Sequence, residues 1–133
     1  MPDELVIHET GRWLRYASED FDAAVGLKTS TPRHSCMFAQ QSAEKALKSA
    51  YVFLNMEIPR SHNLNMLKNL LPVEWGVSAH LPDLSALSFW AVESRYPGDL
   101  PDATDDDADA AIRSAETVLA FIEQRLQERG FPR

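Results

Sequence analysis

Cysteine is almost missing from this chain: among 133 residues only Cys36 carries a thiol. A lone thiol closes no internal disulfide and builds no Cys-rich metal framework, and it fits a reducing, cytoplasmic setting. Glycine is scarce, with five residues, and no Gly-rich phosphate loop occurs. His-Glu-x-x-His and paired-cysteine patterns are absent too, so neither a metal nor a cofactor is expected. No apolar run approaches the ~18 residues that a membrane span needs, so no membrane association is expected. Met1-Pro2-Asp3-Glu4 is acidic where a signal peptide requires a basic region, so none is expected. Positive charge is in deficit, with 13 Lys and Arg against 20 Asp and Glu, for a net charge of −7. That balance is a poor match to a protein that coats duplex nucleic acid, although a local basic pocket is compatible with it. The alternating, β-branched pattern of strands is also missing.

What the chain does have is hydrophobic content of 44%, charged content of 25% and prolines that punctuate periodic stretches. The length fits one domain, residues 1–133, with a core over about 9–129. Five helices are predicted. The first covers Glu9 to Lys28, with Trp13, Ala17, Phe21, Ala24 and Leu27 on its buried face. The second runs from Pro32, well placed for a first turn, to Asn55. A short third spans Leu64 to Leu71, capped by Ser61 or Asn63, and a loop from Val73 to His80 follows. The fourth covers Asp83 to Arg95. The fifth covers Asp105 to Arg129 and buries Ala108, Ala111, Ile112, Ala115, Leu119, Ile122 and Leu126. Short links between long helices predict an all-α, up-and-down bundle.

The second helix is the informative one. Cys36, Ala39, Ala43, Ala46, Leu47, Ala50 and Leu54 share one side, where small residues let a neighbour approach closely. The other side carries His34, Gln41, Glu44, Lys45, Lys48 and Asn55, interleaved with Met37, Phe38 and Val52. A solvated face with a Glu44–Lys48 pair worth ~0.3–0.5 kcal/mol is the simpler reading. The interleaved apolar residues instead suggest a half-covered face, as at a cleft or a dimer seam. Two charges break the pattern elsewhere: Asp20 on the apolar stripe of helix one, and Arg95 on that of helix four. A buried unpaired charge costs several kcal/mol, so each needs a partner or water. Asp20 with Lys45 or Lys48, and Arg95 with Glu44, are candidate ion pairs; equally, Arg95, Lys45 and Lys48 are suited to meeting an anion such as phosphate. His62 sits at the mouth of helix three, where an exposed loop residue is the commoner case. The acidic run Asp102 to Asp109 reads as a helix start, with Thr104 as cap and aspartates complementing the dipole, rather than as a metal tract.

Several of these stretches resemble the HEPN family (higher eukaryotes and prokaryotes nucleotide-binding domain). They are Trp13-Leu14-Arg15-Tyr16-Ala17-Ser18-Glu19-Asp20-Phe21, the segment Cys36 to Lys48 with its Gln41/Glu44-Lys45/Lys48 pattern, Ile58-Pro59-Arg60-Ser61-His62-Asn63-Leu64, and Glu93-Ser94-Arg95-Tyr96-Pro97. The resemblance covers residues 9 to 125. It implies a bundle of about five helices, a homodimer, a nucleotide or RNA ligand held in a charged cleft, and a minimal nucleotidyltransferase partner, often as a toxin–antitoxin pair. Carried onto matching positions, the nucleotide-binding residues are Gln41, Glu44, Lys45, Lys48, His62, Arg95 and Tyr96, with Asp20 in support.

One departure counts. Members that cut RNA carry an arginine followed, after four to six residues, by a histidine. Arg95 is followed by Tyr-Pro-Gly-Asp-Leu-Pro-Asp, with no histidine. Metal-free RNA cleavage needs an acid/base to move the 2′-hydroxyl proton, usually histidine. The expectation is therefore a non-catalytic nucleotide-binding module. A ribonuclease toxin with a degenerate motif, using Arg95 and His62, and a scaffold with purely structural charges are the alternatives.

Overall fold

The computed structural model describes residues 2–93, 97–98 and 100–133. The described residues are helical and contain no strand. Asp3 opens α1 (Glu4–Leu27) by accepting the Val6 N–H at 2.9 Å. That cap moves the start of the helix ahead of the expected Glu9. Pro32 begins α2 (Pro32–Phe53) at a position where a missing N–H costs nothing. The end of α2 is a Schellman closure: Asn55 is left-handed at φ 56, Asn55 N–H donates to Val52 O, and Met56 N–H reaches back to Tyr51 O. The helix therefore stops short of Asn55.

α2 is the central element. It packs along α1 on one side and along α7 (Asp105–Glu128) on another, while α3 (Leu64–Asn69), α5 (Ser85–Ser88) and α6 (Trp90–Glu93) cover a third. Cys36, Ala39, Ala43, Ala46, Leu47 and Ala50 are all fully buried, facing Ala17 and Ala24 of α1 and Ala108, Ala111, Ala115, Val118 and Ile122 of α7 within one core. Small side chains bring the α1 and α2 backbones near enough for direct bonds. The Ser42 hydroxyl donates to Ala17 O at 2.7 Å and the Ser35 hydroxyl to Ala24 O at 2.6 Å. Of the expected face of α1, only Ala17 and Ala24 are fully enclosed; Trp13, Phe21 and Leu27 lie at its margin. On α7, Ile112 and Leu119 are likewise marginal, and Val118 takes a fully buried place.

Two stretches depart from expectation. Val73–His80 is not a loop: a 3-10 turn (Val73–Trp75) leads through left-handed Gly76, φ 68, into α4 (Val77–His80). Tertiary contacts hold it there, because Trp75 and Val77 are buried and Arg125 of α7 donates to Trp75 O at 2.8 Å. Over 83–93, the described part of the helix expected over 83–95, there are two short segments, α5 and α6, meeting at Phe89. Asp83 delays its start by accepting from the Ser85 N–H, the Ser85 hydroxyl and the Asn65 amide. Arg95 and Tyr96 lie outside the described residues. At α7, Thr104 and Asp107 close a capping box, so the acidic run begins a helix. Among the described residues no helix is long and apolar enough to cross a membrane.

Candidate functional site

The outer face of α2 is not the solvated surface that its charges suggested. Glu44 is 6% exposed and Lys48 9%, close to the values of core residues. The helix places Gln40, Glu44 and Lys48 four residues apart on one edge, and the loop into α3 folds over that edge. Lys48 Nζ donates to Glu44 Oε2 at 3.0 Å. On the other carboxylate oxygen, Glu44 Oε1 accepts from Gln40 Nε2 at 3.1 Å and faces His62 Nδ1 at 2.9 Å. Gln40 is locked at both ends, because its Nε2 also reaches His62 O and its Oε1 accepts from Gln41.

Burial alone would push the Glu44 carboxyl toward protonation. The hydrogen bonds from His62, Lys48 and Gln40, with the Lys48 charge, outweigh it and hold the group below the usual carboxylate range. An ionised Glu44 is acceptor-only, so His62 presents Nδ1–H to it and a neutral ring keeps Nε2 as an acceptor. The ring itself is largely open to solvent, with 55% of the side chain exposed. The position of the loop comes from Asn63, which caps α3 by accepting the Met66 N–H, and from Ser88. The Ser88 hydroxyl donates to His62 O at 3.2 Å and accepts the Leu64 N–H at 3.1 Å.

Around the helix toward α1, Lys45 pairs with Asp20, one of the two partners expected for that carboxylate. Asp20 thus stands at the edge of the α1 stripe rather than unpaired within it. The structure brings Gln41, Glu44, Lys48 and His62 into one hydrogen-bonded cluster, with Lys45 and Asp20 beside it on the same face of α2. The expected contributions of Arg95 and Tyr96, including an Arg95–Glu44 pair, lie outside the described residues. Sequence reasoning missed Gln40 and Ser88. The i,i+4 spacing of Gln40 to Glu44 marked the first; the second depends on a bond across 26 residues and had no local signal.

The arrangement is chemically versatile. Two ammonium groups, each anchored by one carboxylate, belong to residues about one turn apart on α2, and each has three N–H donors. Beside them an imidazole is oriented by an ionised carboxylate. The thiol is elsewhere and inert: Cys36 is fully buried, and burial pushes it up to about 11. Among the described residues no three His, Cys, Asp or Glu side chains gather as a metal site would require.

A family model described as HEPN domain matches residues 10–125. Among solved structures, TT1696 from Thermus thermophilus superposes with a TM-score of 0.77 at 25% identity, over 87% of this chain and 97% of that one. ST0689, an archaeal HEPN homologue, superposes with a TM-score of 0.64 at 25% identity, over 86% of this chain and 95% of that one. No curated protein matches the chain.

Proposed function

The chain belongs to the HEPN family, and from that premise we propose that it is a non-catalytic nucleotide-binding module whose phosphate site is the outer face of α2. One observation carries this reading: Lys45 and Lys48, three residues apart on α2, are each held by a single carboxylate, Asp20 and Glu44 respectively. A lysine held by one carboxylate oxygen keeps N–H donors for a phosphate oxygen, and low local dielectric strengthens such a contact. His62 at the rim adds a further donor when protonated, and Gln41 a neutral one. In this reading the module works as a homodimer, with Met37, Phe38 and Val52 covered at the seam, beside a minimal nucleotidyltransferase partner in a toxin–antitoxin-like pair. Calorimetric titration of the purified protein with ATP, GTP and a short single-stranded RNA tests it, with Lys45→Met alongside. Saturable binding that weakens at least about tenfold in the variant is expected, since one charge-assisted bond is worth ~1.5–3 kcal/mol. Unaltered affinity in Lys45→Met would sink the proposal.

The Glu44–His62 contact favours a second reading, a ribonuclease. With Nδ1–H held by Glu44, Nε2 is free to take the 2′-hydroxyl proton of RNA, in the manner of an oriented general base. RNA cut by the wild type and left intact by His62→Ala is the outcome that would prefer it; intact RNA with both proteins rules it out.

A further inference from the structure

Beside Lys45, on the seam of α1 and α2, lies an open groove of about 370 Å³ lined by Glu9, Arg12, Trp13, Tyr16 and Lys45. Periodicity would assign Trp13 to the core, yet it is only partly buried, and Tyr16 beside it is 44% exposed. Two aromatic side chains one turn apart and open to solvent on a helix are costly to leave uncovered. The Arg15 guanidinium carbon lies 5.5 Å from the centre of the Tyr16 ring, within cation–π range. The polar groups at the rim are ordered as well: Arg12 Nη1 sits 3.2 Å from Glu9 Oε2 and 3.4 Å from Oε1.

We infer that this groove is the base subsite of the nucleotide site, and that it takes guanine in preference to adenine; the inference rests on the nucleotide-binding reading above. Three features converge on that chemistry. The volume lies at the small end of ligand pockets, ~300–1,000 Å³, and suits one base with its sugar. Trp13 and Tyr16 offer the π surface on which any base stacks. Glu9 selects between bases. A carboxylate accepts two hydrogen bonds, and guanine presents two adjacent donors, N1–H and the N2 amine. Adenine presents its N6 amine beside an N1 lone pair, which a carboxylate repels. The phosphates then run toward Lys45, which belongs to both places, and on to Lys48 one turn along α2. Both Glu9 oxygens already accept from Arg12 Nη1, and each keeps a further lone pair for a donor of the base.

The test is titration of the full-length protein with GMP and AMP, comparing wild type, Trp13→Leu, Trp13→Phe and Glu9→Gln. GMP binding at least about fivefold tighter than AMP is expected in the wild type. Trp13→Leu should weaken both ligands at least about fivefold, the lower end for loss of one base–aromatic stack, while Trp13→Phe keeps most of the affinity. Glu9 is half-exposed, so Glu9→Gln leaves the fold intact and should bring GMP and AMP to equal affinity. Nucleotide binding that ignores both Trp13→Leu and Glu9→Gln overturns the groove but leaves the α2 phosphate site standing. Equal binding of GMP and AMP by the wild type overturns the guanine preference. No binding of either nucleotide overturns the groove, while the α2 phosphate site stands or falls by the ATP, GTP and RNA titration with Lys45→Met.

Discussion

Replacing Lys48 by Met keeps the length of the side chain and removes its charge, which isolates what the ammonium does for Glu44. The Lys48 and Glu44 side chains are 11% and 8% exposed, so the pair is nearly closed to water. Removing one partner from a buried pair costs ~3–5 kcal/mol, because the other charge is stranded. Glu44 would not be wholly stranded, since His62 Nδ1 and Gln40 Nε2 still address Oε1. We therefore expect the lower part of that range or slightly below it, about 2–3 kcal/mol at pH 7. For a domain of this size ~3–5 °C of melting temperature accompanies each kcal/mol, giving a fall of roughly 6–15 °C. A pH arm makes the test specific. The carboxyl of Glu44 is held below its unfolded value of about 4.3. Its contribution is thus complete above that value and is lost as pH falls through the lower folded value. The gap between wild type and Lys48→Met should accordingly narrow in acid. Urea unfolding at pH 7 and at about pH 3.5 measures both quantities. A cost below about 0.5 kcal/mol at pH 7, the scale of an exposed pair, or an equal cost at both pH values, would refute the reasoning.

Three further outcomes are expected. Cys36, fully buried and pushed up to about 11, should stay silent toward a disulfide reagent at pH 8 and react at once in guanidinium; prompt reaction of the folded protein would contradict its place in the core. Thr104→Ala removes the side chain that accepts the Asp107 N–H and should cost about 1 kcal/mol, or ~3–5 °C by thermal melting; an unchanged melting temperature would show that the cap contributes nothing. The Asp83 carboxyl is drawn down to about 2 by hydrogen bonds from Ser85 and Asn65. Its stabilisation is present above the unfolded value of about 3.9 and disappears toward pH 2, so the difference between wild type and Asp83→Asn should shrink over that interval.

Much of the architecture follows from local rules acting on the sequence. Pro32, Asn63 and the Thr104–Asp107 box begin helices where N-terminal chemistry requires. The three-and-four spacing of alanines on α2 selects the face that meets α1 and α7, because helical periodicity and side-chain size are properties of the chain itself. The candidate residues were legible in different ways: Glu44, Lys45 and Lys48 stand out by charge and spacing, whereas His62 entered only through the family resemblance.

Their burial and partners were not legible. A Glu–Lys pair at i,i+4 reads the same whether water or a loop lies over it; only the 58–63 segment folding onto α2 makes it a buried pair with His62 as third member. Trp13 fits an apolar stripe by periodicity, yet whether a neighbouring element covers it depends on how α1 is rotated against α2. The 73–80 stretch is helical because Trp75 and Val77 are buried and Arg125 of α7 takes the Trp75 carbonyl, a contact 50 residues apart in sequence. Propensity and periodicity act within a few residues, so the chain alone determined its three long helices and the centre of their inner faces. Desolvation and charge pairing depend on every group within a few ångströms, whatever its place in the chain, so only the tertiary structure decided which of its charges are buried and which partners they take.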